Sequence, residues 1–113
     1  MTFKNIKINL ESIMIKHVVL IKIKNSFDQM SKLEICKELK KRLDALPTLI
    51  EEIKGWETGI NESKSGNAFD VALLSDFETH ETLDIYRLHK EHVKILQYIN
   101  EIKEDVKVVD YSY

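Results

Sequence analysis

In 113 residues the chain has one cysteine, one proline and three glycines. The lone thiol, Cys36, has no partner for an internal disulfide and fits a reducing cytoplasm, the expected location. No glycine-rich phosphate loop, no Ser-His-Asp pattern and no low-complexity segment is present. No run approaches the ~18 consecutive apolar residues that a membrane span needs. Residues 1–13 lack the apolar core followed by small residues that marks a secretory signal. Charge of neither sign accumulates: 17 Lys and Arg stand against 19 Asp and Glu, a net −2. A phosphate backbone would find no basic patch, so neither nucleic acid nor membrane is an expected partner. No HExxH or CxxC occurs, and no cofactor or metal centre is expected. Two histidines three apart, His89 and His92, could still share an ion with His17 or a carboxylate as third ligand.

What is present is ordinary globular material, 43% apolar and 32% charged, in the length of one domain. The run from Met14 to Lys24 is β-branched and reads as a strand. Ile15, His17, Val19, Ile21 and Ile23 share one face, and Val18 and Leu20 the other, so both faces need cover. Ser31 and Glu34 have capping-box spacing. Leu33, Cys36, Leu39, Leu43 and Leu46 then form an apolar helical stripe that Pro47 ends. Ile53 to Glu62 and Phe69 to Phe77 read as strands joined by turn-forming residues 61–67. Thr79 reads as an N-cap, with a helix through about Lys103, and Lys107 to Tyr113 reads as a closing strand.

The order β-α-β-β-α-β is that of an α+β, ferredoxin-like subunit: a four-stranded antiparallel sheet with helices on one face. The bare face needs a cover, and a second copy of the sheet supplies one, giving a dimeric α/β barrel. Residues 14–113 make up this domain. Residues 1–13 are an extension in which Ile6, Ile8 and Leu10 alternate, which fits either a short extra strand or a stretch upstream of a natural start at Met14.

Tyr86, His89 and His92 recur at intervals of three, which places them along one side of a continuous helix. His17 approaches them if its strand face meets the helices. Imidazoles exchange protons near neutral pH, and a tyrosine hydroxyl donates to a carbonyl oxygen or a developing oxyanion. The same residues also read as a buried polar network without chemistry. His80, in an acidic helix start, reads as a surface residue. Trp56, Tyr111 and Tyr113 read either as dimer-surface aromatics or as core.

Several segments together resemble the stress-responsive A/B barrel (Dabb) family. They are Met14 to Lys24, Gly59-Ile-Asn61, Phe77-Glu-Thr79, the run Tyr86-Arg-Leu-His89-Lys-Glu-His92, and Val108-Val-Asp110-Tyr111. The resemblance spans roughly residues 14–111. It implies a homodimer of ferredoxin-like subunits with a cavity between sheet and helices. In olivetolic acid cyclase, a plant enzyme of this fold, a Tyr and a His act in an aldol cyclisation. By resemblance Tyr86 and His92 match that pair, and His17 matches a further pocket histidine. Two departures stand out. Lys90 replaces a proline usual between the two histidines, which predicts an unbroken helix, and Val71 stands where the cyclase has another pocket histidine.

These readings lead to a homodimer with a small pocket for an apolar or carbonyl-containing ligand. If the protein is an enzyme, His92 is the base, Tyr86 positions a carbonyl, and His17 and His89 orient or polarise. The alternatives are a non-enzymatic stress-associated or ligand-binding protein, and a cofactor-independent monooxygenase.

Overall fold

A computed structural model describes residues 13–113, so the expected extra strand at residues 6–10 lies outside the described residues. Strand β1 spans Ile15–Ile23. A short ribbon of β2 (Ser26–Phe27) and β3 (Met30–Ser31) leads into helix α1, Lys32–Asp44. A 3-10 turn at Leu46–Thr48 precedes β4 (Gly55–Ile60) and β5 (Val71–Phe77). Helices α2 (His80–Leu88) and α3 (Lys90–Ile102) follow, and β6 (Lys103–Ser112) closes the chain. The strand order is β4-β5-β1-β6, antiparallel throughout, which is the ferredoxin-like topology.

The two-residue side-chain period sorts the sheet into two faces. Ile15, His17, Ile21 and Ile23 of β1, and Val71, Leu73, Ser75 and Phe77 of β5, are buried on the helical side. Val18, Leu20, Leu74 and Val109 lie on the other side, which no helix covers. There the Asp76 carboxylate accepts from Lys16 Nζ at 2.7 Å and from the Tyr113 hydroxyl. It lies so close over Gly55 that an added Cβ would come within 2.1 Å of it, so a side chain at that point of β4 would displace the carboxylate from its place.

Helix α1 begins where the capping box predicts: Ser31 Oγ accepts from Glu34 N–H, and the Glu34 carboxylate accepts from Ser31 N–H. Its buried stripe is Ile35, Cys36, Leu39 and Leu43. Leu33 is a correction to the predicted stripe, since it is 54% exposed and Ile35 takes the inward place. Burial pushes the Cys36 thiol up, as suits a core residue.

Three further differences from the sequence expectation have local causes. The β2–β3 turn places Asp28 and Gln29 at positive φ with no glycine to signal it. Strand β6 starts at Lys103 rather than Lys107, because buried Ile102 ends the helix against the core and the next residue is already extended. The helix expected to run unbroken from Thr79 is two helices meeting at His89, whose backbone is extended (φ −63°, ψ 137°).

Candidate active site

The corner at His89 needs no proline because side chains hold it. His89 Nδ1 accepts the Glu91 N–H at 3.1 Å, capping α3. That N–H would otherwise bond the carbonyl of Arg87, four residues earlier. The freed carbonyl is taken by His92, whose Nδ1 lies 2.9 Å from it. A carbonyl oxygen only accepts, so His92 Nδ1 carries the hydrogen and Nε2 keeps the lone pair when the ring is neutral.

The corner also corrects the expected trio. At 3.6 residues per turn, Tyr86 and His92 on a straight helix would sit about 120° apart. The change of direction cancels that drift and brings their ring centroids to 4.3 Å. His89 is left out: it faces a separate depression beside Pro47, Thr48 and Ile85, away from the other two rings. His80 is exposed, as read from the sequence.

His17 joins the pair from the sheet, its ring centroid 6.0 Å from that of Tyr86. Its Nδ1 donates to Asp110 Oδ1 at 2.5 Å, and Arg87 Nη2 donates to Asp110 Oδ2 at 2.5 Å. Arg87 and Asp110 were absent from the sequence-predicted set. The available signal was a lone carboxylate on the inward face of a strand, in step with Val106 and Val108. Ser75, across from His17 in the register, spends its hydroxyl on the His17 carbonyl at 3.3 Å.

Tyr86 is 1% exposed and packs against Phe77 at 5.0 Å and Trp56 at 6.3 Å between centroids. Trp56 thus faces the core side, with its indole N–H on Asp44, while Tyr111 and Tyr113 stand exposed on the uncovered sheet face. Burial pushes the Tyr86 hydroxyl well above its ordinary value, so it stays a neutral donor. Burial is also the main cause that pushes His92 down; the hydrogen bond to the Arg87 carbonyl pulls the other way and the Arg87 guanidinium adds positive charge nearby, and the net direction leaves the ring neutral at pH 7.

These groups border a cavity of about 380 Å³ between the sheet and α3. Among the described residues, no side-chain nitrogen or oxygen is sealed from solvent without a hydrogen-bond partner. The Tyr86 hydroxyl and the Nε2 atoms of both histidines bond to no other described residue, and all three side chains line the cavity. The site therefore offers a neutral imidazole lone pair, a phenolic donor and a second, carboxylate-backed imidazole around one apolar space. No three of the described His, Cys, Asp and Glu residues converge as metal ligands.

The model of the stress-responsive A/B barrel domain family matches residues 15–113. A dimeric protein of unknown function and ferredoxin-like fold from Bacteroides fragilis is 33% identical, with 88% of this chain and 96% of its own covered and a TM-score of 0.78. A protein from Arabidopsis thaliana is 30% identical over 86% of this chain and 92% of its own, with a TM-score of 0.71. A hydroxynitrile lyase from Passiflora edulis has a TM-score of 0.74 over 88% of this chain and 93% of its own, but at 16% identity it shares the fold alone. No curated protein matches. No helix among the described residues is long and apolar enough to cross a membrane.

Proposed function

Because the chain belongs to the stress-responsive A/B barrel domain family, we propose that it is a homodimeric acid/base enzyme of the cytoplasm acting on a small carbonyl compound. His92 Nε2 removes a proton next to the carbonyl, and the Tyr86 hydroxyl holds the carbonyl oxygen and the enolate that forms. His17, held through Asp110, is the second imidazole that passes or polarises. Enolisation and aldol chemistry need this set and no cofactor. The observation that carries the reading is the Tyr86–His92 contact with the His92 tautomer fixed by the Arg87 carbonyl, at the wall of a 380 Å³ cavity. A volume of that size falls in the range of ligand pockets, roughly 300–1,000 Å³.

Heteronuclear NMR of the four histidines tests it. His92 is expected to titrate below the ordinary imidazole value of 6.5 with Nδ1 protonated, and the His17 and His92 signals are expected to move when a small ketone is added. Four ordinary, independent titrations with no response to the ketone would remove the site.

The dimer is proposed to form through the uncovered sheet face, where Val18, Leu20, Leu74 and Val109 present an apolar centre. Relatives of this fold are described as dimeric. Leu20→Glu places a charge in that centre and is expected to yield a folded monomer in sedimentation equilibrium. An unchanged dimer would place the interface elsewhere.

A further inference from the structure

The cavity has two unlike ends. His17, Tyr86 and His92 gather at the start of α3. From there the walls are aliphatic: Ile95 and Ile99 come from the helix, and Ile21 and Val106, paired across β1 and β6, come from the sheet. At the other end stand Asn100, from the last turn of α3, and Lys103, which pairs with Ile23 on the far side of Ile21 from His17 in the β1–β6 register. Lys103 follows His92 by about three helical turns, a separation of ~16 Å at 1.5 Å per residue.

Lys103 and Arg87 are the two constitutive cations on this wall. Arg87 is already held by Asp84 and Asp110. Lys103 is half-buried and makes no ion pair or side-chain hydrogen bond among the described residues. A partly desolvated ammonium beside an apolar cavity attracts an anion more strongly than one in bulk water. The aliphatic stretch offers a ligand no hydrogen bond and suits methylene groups.

We propose that Lys103, with Asn100 beside it, anchors a carboxylate, and that the ligands of this cavity are medium-chain carboxylic acids with a carbonyl at the end remote from the acid. The proposal rests on the reading that the His and Tyr groups handle the carbonyl end. It adds a substrate class, an oxo-carboxylic acid with an aliphatic middle, and a specificity-determining residue outside the acid/base cluster.

The test compares decanoate with decanol in NMR titrations of the intact protein, using the His17 and His92 ring signals as reporters of occupancy. The intact chain is expected to bind decanoate about tenfold more tightly than decanol, the worth of one charge-assisted hydrogen bond. Lys103→Ala is expected to level the two affinities without weakening decanol, and Lys103→Arg to keep the preference. Equal binding of both probes to the intact chain, with the ring signals moving, overturns the anchor and leaves the carbonyl-end reading standing. Ring signals that move with a small ketone but with neither probe overturn the anchor alone, and ring signals that move with none of the three overturn both. A Lys103 that serves only the C-terminal end of α3 is recognised by a lower unfolding midpoint for Lys103→Ala with the decanoate preference intact, which also overturns the anchor.

Discussion

His92→Phe is expected to slow carbonyl-dependent proton exchange by about 10²–10⁴-fold while leaving the protein folded. The loss comes from the missing Nε2 lone pair. The fold also loses the partner of the Arg87 carbonyl, at a cost of about 1–3 kcal/mol in denaturant unfolding. pH separates the two effects. Because burial holds the His92 pKa below its ordinary value, the neutral, basic form persists to lower pH, and the rate should fall only as pH drops through that depressed value. Stability follows the same direction. The unfolded ring takes up a proton more readily than the folded one, so stability is complete above the ordinary value of 6.5 and declines as pH falls below it. His92→Phe should lack that part of the decline. A variant that loses stability and keeps its exchange rate would make the cluster a structural polar network rather than a catalytic one.

Phe77→Ala is expected to cost about 3–5 kcal/mol in urea unfolding, because Phe77 is fully buried and its removal leaves a void that rigid strand neighbours cannot close. The damage should reach the site. Phe77 packs on Tyr86 at 5.0 Å and on His17 at 6.5 Å, so both rings lose the wall that fixes them. Tyr86 and His17 NMR signals should broaden or move in the variant even under conditions where it stays folded. Unchanged signals, or a cost below 1 kcal/mol, would mean that Phe77 does not support the site.

The parts of this molecule that were legible in its sequence are those governed by short-range rules. Alternation along β1 placed His17 on the buried face, the Ser31–Glu34 spacing marked the start of α1, and Thr79 marked the start of α2. The corner at His89 was not legible because no residue there disfavours a helix. Lys90 and Glu91 are good helix formers, and the break is held by the His89 cap and by the bond of His92 to Arg87, which exist only once the chain has turned. For the same reason the three-residue spacing pointed to His89 as a cluster member, whereas the turn swings it outward. Arg87 and Asp110 were hidden differently: they are 23 residues apart, and their pairing depends on β6 lying beside β1 in one register.

Arg87 has two jobs performed by different ends of the same residue. Its backbone oxygen orients one imidazole, and its guanidinium, through Asp110, orients the other. Helix α2 is thereby tied to the first turn of α3 on one side and to β6, which carries Asp110, on the other. A substitution that unseats α2 therefore reaches both rings at once, one through the carbonyl and the other through the guanidinium, whereas a change confined to β1 or α3 touches them singly.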